Sequence, residues 1–256
     1  MLASTALFQF KLSKRWETMS SLFKAKIHSA GYELGKPIIQ NIHFSIEPGE
    51  LIGLIGPNGA GKSTTIKSIL GLMAEMDGEI VFQDNIQYSY VPERPLFYDE
   101  LTLWEHLDFL AQVEGLDDVS YKKQANELLK TYKLAEHAHE FPNTYSKGMQ
   151  QKAMLILSFI TNPSVYIIDE PFIGLDPNAM KLLLESIEEK RSRGAGILMS
   201  THVLDTAEKV CDRFLLIHQG VLAAQGTLDE IREQCQLPKG SLYDCFHSIA
   251  EGTDDE

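Results

Sequence analysis

Cysteine is scarce in this chain. Three occur in 256 residues (Cys211, Cys235, Cys245), without C-x-x-C spacing, which excludes a disulfide framework and offers no zinc site. A reducing compartment is the simplest reading, with Cys211 a small core residue at a helix end. Cations are also outnumbered. Lys and Arg total 23 against 36 Asp and Glu, a formal charge of −13, so broad nucleic-acid binding, which needs cations to neutralise phosphates, is not expected. Long apolar runs are missing too: the longest, Ala153 to Ile160, falls far short of the ~18 residues of a membrane span. No basic segment precedes the short apolar stretch Ala6 to Phe10, so a signal peptide is not expected. Neither internal repeats nor low-complexity linkers are found. What remains is an ordinary globular composition, 44% hydrophobic and 23% charged.

The most informative stretch is Gly56-Pro57-Asn58-Gly59-Ala60-Gly61-Lys62-Ser63-Thr64, which fits G-x-x-x-x-G-K-[ST], a loop that cradles phosphates. Gly56, Gly59 and Gly61 are expected to take positive φ and turn successive N–H groups inward. Lys62 adds a point charge near the β and γ phosphates, and the Ser63 hydroxyl can hold Mg²⁺. Leu51 to Ile55 before it is an apolar run of buried-strand type. Ile66, Ile69, Leu70 and Met73 after it repeat at helical spacing. Strand, loop and helix together aim a helix N-terminus at the phosphates.

Further along, Ile42, Phe44 and Ile46 alternate as in a half-buried strand. Thr102-x-x-Glu105 and Thr227-x-x-Glu230 are capping boxes that open helices. Ser120 to Tyr132 reads as a further helix. After Pro163, strands at Val165–Ile168 and Gly196–Ser200 alternate with a helix carrying Met180, Leu183, Leu184 and Ile187. Phe214 to Ala224 reads as a hairpin turning at Gln219-Gly220. The expected fold class is α/β, a mixed, mainly parallel sheet with an N-terminal antiparallel part and a helical insertion at about 95–160. Residues 1–18 are set apart as an extension before a natural-looking start at Met19, 19–240 form the domain, and 241–256 are a C-terminal acidic tail whose last residues, Glu251 to Glu256, are expected to be disordered.

Val165-Tyr-Ile-Ile-Asp169-Glu170-Pro171 ends a buried strand in two carboxylates, at the sheet edge where open α/β folds bind ligands. Asp169 suits Mg²⁺, and Glu170 can orient or deprotonate an attacking water. His202, closing Met199-Ser-Thr-His, is a candidate γ-phosphate sensor. His137, His139 and Glu140 look like a metal cluster but are read as solvated surface, and Trp16 and Trp104 as packing residues.

In order, these motifs resemble the ATP-binding cassette subunits of membrane transporters, over residues of about 22 to 234. The resemblance implies Tyr32 as the adenine-stacking residue and Tyr90-Val-Pro-Glu93-Arg94 at the glutamine loop, with Glu93 near Mg²⁺. It also implies Ser146 and Gly148 as the signature that grips ATP in trans, Asp176 in the D-loop, and His202 at the switch. Within the family, Tyr-Ser-Lys-Gly-Met and Met-Ser-Thr-His most resemble the Ecs-type cassettes of bacteria. Lys147 and Met149 depart from the Leu-Ser-Gly-Gly-Gln signature, and Glu93 replaces glutamine, so slow turnover is expected. The resemblance further implies ATP and Mg²⁺ as ligands and a head-to-tail dimer with a second copy or a paired cassette. It implies a separate integral membrane permease docked near Arg94, Leu96, Phe97 and Tyr98, and a peripheral place on the cytoplasmic face of the membrane. The expected function is ATP hydrolysis driving export, of peptide or protein-secretion type. Iron–sulfur assembly or repair cassettes, and a slowly hydrolysing regulator, are the alternatives.

Overall fold

The computed structural model describes residues 21–254; the extension at 1–18 and the reading of Trp16 lie outside them. One nine-stranded sheet runs through the molecule in the order β4-β1-β2-β9-β8-β3-β7-β6-β5. Strands β1 (Phe23–Gly31), β2 (Ile39–Ile46) and β4 (Glu75–Phe82) pair antiparallel. Buried Phe23, Ala25 and Ile27 alternate with exposed lysines along β1, the period-2 pattern of a sheet with one wet face.

The other half is built from strands buried on both faces. β3 (Leu51–Ile55), β6 (Val165–Asp169) and β7 (Gly196–Thr201) are buried at every position and pair in parallel, with β5 (Tyr88–Val91) outside β6. Such continuous apolar strands demand cover on both sides. The helices supply it: α1 (Lys62–Ile69) packs beside β1 and β2, and α5 (Pro177–Ser192) packs over β7. β8 (Arg213–His218) and β9 (Val221–Gly226) form the expected hairpin, and β9 joins the two halves of the sheet by pairing with β2.

Between β5 and β6 the chain makes α2 (Leu103–Val113), α3 (Asp118–Thr131) and α4 (Lys147–Ile160). Their apolar faces share one core with the sheet through Leu107, Leu129, Ile156 and Phe159. Both expected capping boxes are present, Thr102 with Glu105 on α2 and Thr227 with Glu230 on α7 (Leu228–Gln234). Cys211 caps the end of α6 (Leu204–Val210), and burial pushes its thiol up to about 12.

The segment set apart as an acidic tail carries a helix, α8 (Leu242–Asp254), which runs into the residues from Glu251 expected to be disordered. Leu242 and Cys245 are buried against Ala207 of α6 and Ile231 of α7. Apolar residues at 242, 245, 246 and 249 keep helical spacing, and Ser241 caps the start by accepting from the Asp244 N–H at 3.1 Å. The acidic residues at the end hid this pattern. No helix among the described residues is long and apolar enough to cross a membrane.

Candidate nucleotide site

The loop between β3 and α1, the end of β6 and the end of β7 meet at one edge of the sheet. They enclose a cavity of about 430 Å³ lined by Pro57 to Gly59, Gly61 to Thr64, Glu93, Glu170 and His202. Sequence-distant motifs thus come together because β3, β7 and β6 are adjacent and parallel, so their carboxyl ends coincide.

The glycines of the loop act differently from one another. Gly59 and Gly61 have φ of 84° and 112°, as expected. Gly56 does not; it is required because a Cβ there would lie 2.5 Å from the Ile217 carbonyl oxygen. The loop is pressed against β8, and only a residue without a side chain fits. Gly61 caps α1, so the N-terminus of that helix opens on the cavity.

The Lys62 ammonium is buried. It donates to the carbonyls of Gly56 at 2.7 Å and Pro57 at 3.3 Å and lies 3.2 Å from Glu170 Oε1. Glu170 is buried as well, and its other oxygen accepts from His202 Nδ1 at 2.9 Å. Glu170 therefore bridges Lys62 and His202 through its two carboxylate oxygens. Glu170 sits at φ 48°, left-handed backbone that a non-glycine residue holds only where its surroundings fix it. Asp169, also buried, accepts from the Ser200 hydroxyl. Neutral imidazole has one N–H, and in His202 it is committed to Glu170. Sensing a γ-phosphate as a donor thus requires an added proton or release of Glu170.

Ser63 and Glu93 line the cavity, whereas Asp169, at the end of β6, does not. Asp169, Glu93 and Ser63 supply oxygen donors of the kind Mg²⁺ takes. Burial and the nearby Asp169 and Glu93 carboxylates push the Tyr90 hydroxyl up to about 12.

Other expected residues lie further off. Tyr32 is half exposed beside α1, where Lys67 donates to its hydroxyl at 3.1 Å and lies 5.2 Å from the ring centre. The hydrogen bond from Lys67, helped by one from Thr64, lowers the hydroxyl pKa against the effect of burial. Tyr32 does not line the cavity; Ile38 does. Ser146 and Gly148 do not line it either. Ser146 is the N-cap of α4, accepting from the Met149 N–H at 3.3 Å, so the helix begins at Lys147. Gly148 packs so closely that a Cβ would meet the Gly174 carbonyl oxygen at 2.8 Å. Asp176 caps α5, with Lys152 at 3.5 Å. The Ala179 N–H and the Lys152 charge hold its carboxyl below the ordinary range. His137 pairs with Glu140 at 3.0 Å on the surface, and the His139 ring lies against Trp104.

A second depression, of about 730 Å³, opens between α2, α4 and the loop after β5, lined by Tyr90, Leu96, Phe97, Tyr98, Phe109 and Leu110 among others. Arg94 does not line it. Inside it His106 is fixed at both nitrogens, with Nδ1 2.8 Å from the Thr102 carbonyl and Nε2 accepting from the Tyr98 N–H at 2.9 Å.

The family model for ABC transporters matches residues 39–173. YthP of Bacillus subtilis, an ABC transporter ATP-binding protein, is 49% identical over 91% of this chain and 99% of its own. The chain belongs to the ATP-binding subunits of ABC transporters. EcsA of the same organism, an ABC-type transporter ATP-binding protein, is 44% identical over 90% of this chain and 97% of its own. The Ecs-type resemblance is thereby supported, while YthP is more similar still. A solved ATP-binding subunit of an ABC transporter superposes with a TM-score of 0.85 at 42% identity, covering 90% of this chain and 99% of that one. Like its family, this ABC subunit is an ATPase whose hydrolysis is coupled to transport. In its family, such subunits act as dimers and work with membrane subunits.

Proposed function

We propose that two copies of this chain close head to tail on Mg-ATP and drive export through a separate polytopic membrane subunit from its cytoplasmic face. One observation carries the reading. The cavity of a single chain holds the loop, Glu93, Glu170 and His202 but neither Ser146 nor Gly148, so one molecule does not bring its own signature to its own phosphates.

The loop N–H groups and Lys62 bind the phosphates, Lys62 exchanging the Gly56 and Pro57 carbonyls for phosphate oxygens. Asp169, Ser63 and Glu93 would hold Mg²⁺, which would supply neutralisation of the phosphate charge. Glu170 orients the attacking water and takes its proton, and His202 holds Glu170 until the γ-phosphate arrives. Tyr32 borders the base, while Ser146 and Gly148 of a second copy cap the γ-phosphate with the N-terminus of α4. Asp176, beside the signature through Lys152, belongs to the same seam. The depression along Leu96, Tyr98 and Phe109 receives the membrane subunit, its exposed apolar side chains matching an inserted helix.

Glu170→Gln tests this reading. The variant should lose phosphate release, retain bound ATP and elute as a dimer with ATP. Phosphate release at the unmodified rate would remove Glu170 from the reaction.

A further inference from the structure

Ser200 lies within the Met199-Ser-Thr-His segment but does not itself line the cavity, yet it touches both acids at the end of β6. It is fully buried on β7, directly opposite Asp169 in the parallel register. Its hydroxyl donates to Asp169 Oδ1 and accepts from the Glu170 N–H at 3.0 Å. The Ser200 carbonyl accepts from the same N–H at 3.2 Å. These roles are forced: a carboxylate only accepts and a backbone N–H only donates, so the single hydroxyl hydrogen points at Asp169.

Each contact has a consequence. Among the described residues no other hydrogen bond reaches the Asp169 carboxylate, so Ser200 sets its rotamer and leaves Oδ2 unengaged. The shared N–H holds Glu170 at its left-handed φ of 48°, and so holds its carboxylate between Lys62 and His202. Main-chain pairing alone would keep the strand but not fix either side chain.

We infer that Ser200 is a positioning residue for ATP hydrolysis, aligning Asp169 for the cation and Glu170 for the water without touching either. The inference rests on the roles proposed for those two acids. It assigns the hydroxyl, not the bulk, of Ser200 to the reaction.

The test compares Ser200→Ala with Ser200→Thr by two readouts. Phosphate release gives kcat and KM for ATP. A Mn²⁺ titration by electron paramagnetic resonance, with ATP in a Glu170→Gln background, gives cation affinity without turnover. Ser200→Ala should lower kcat roughly tenfold or more, the usual cost of hydrogen bonds to a charged partner. KM should move less than about twofold because Lys62 and the loop N–H groups are untouched. Its Mn²⁺ affinity should weaken roughly threefold to tenfold. Ser200→Thr, which keeps the hydroxyl, should stay within about threefold of the parent in both. Ser200→Ala within twofold of the parent in kcat and in Mn²⁺ affinity would overturn the inference, as would equal losses in both variants. Should Ser200→Ala unfold, Ser200→Cys provides a similar volume with a weaker donor and must show the same loss. An unmodified chain that releases no phosphate would instead strike the hydrolytic reading, and the Mn²⁺ titration would still decide the place of Ser200.

Discussion

Replacing Lys62 by Ala should destabilise the nucleotide-free protein, besides abolishing ATP binding. Both partners of the Lys62–Glu170 pair have side chains 7% exposed at 3.2 Å. Removing one member of a fully buried pair costs about 3–5 kcal/mol, because the other charge is left uncompensated. Here His202 remains bonded to Glu170, and that imidazole is half exposed at the cavity mouth, so water can reach the stranded carboxylate. The loss should therefore be nearer 2 kcal/mol, or roughly 4–8 °C in Tm for a domain of this size. Glu170→Gln should cost less, since Lys62 keeps the Gly56 and Pro57 carbonyls. In a double-mutant cycle by urea unfolding, adding Lys62→Ala to Glu170→Gln should cost about 1 kcal/mol less than adding it to the parent. Additive effects, or a Lys62→Ala protein as stable as the parent, would refute the claim that the ion pair is energetically coupled.

Gly61→Ala should fail twice over, since its φ of 112° disfavours a side chain and its Cβ would lie 2.5 Å from Ile39 Cγ2; a loss of about 2–4 kcal/mol, with ATP affinity reduced in nucleotide titration, is expected. His106 is held neutral, burial lowering its pKa from the ordinary 6.5. The unfolded chain then binds a proton that the folded one refuses, so the His106 contribution is full above about pH 6.5 and is lost as pH falls through the folded pKa. Urea midpoints from pH 5 to 7.5 should show this slope, reduced in His106→Gln. Arg191 donates to the Gly49 carbonyl at 3.1 Å and to both oxygens of Asp212 at 2.9 and 2.7 Å, and Asp212 Oδ2 accepts from the Leu51 N–H at 2.8 Å. Arg191→Ala, which unties α5 from the start of β3, should lower stability by about 1.5–3 kcal/mol in chemical unfolding.

The site was legible in the sequence where chemistry is carried by short, local patterns. The phosphate loop, the acids after β6 and His202 could be read because each motif lies within one strand–loop–helix turn. Their convergence followed from parallel strands ending at one edge. The capping boxes and the β8–β9 hairpin were legible for the same local reason. β4 was not: Glu75, Asp77, Gly78 and Glu79 are exposed, and an edge strand with few inward apolar residues has no alternation to read. α8 had the spacing, but the acidic residues from Glu251, at its end, suggested a solvated tail. Gly56 shows the limit of motif reasoning, since its need comes from β8, some 160 positions away, rather than from its own dihedral angles. Ser200 escaped notice because its role depends on register between β6 and β7, which sequence alone does not contain.

The most direct measurement of the composite site is complementation between two inactive chains. Lys62→Ala spoils the phosphate loop and keeps the signature, while Ser146→Arg spoils the signature and keeps the loop. Alone, neither should hydrolyse ATP. Mixed in equal amounts, about half of the dimers pair unlike chains, and each holds one intact site of two, so phosphate release should return to roughly a quarter of the parent rate. A mixture no more active than the mean of the two separate variants would contradict a nucleotide shared between two copies.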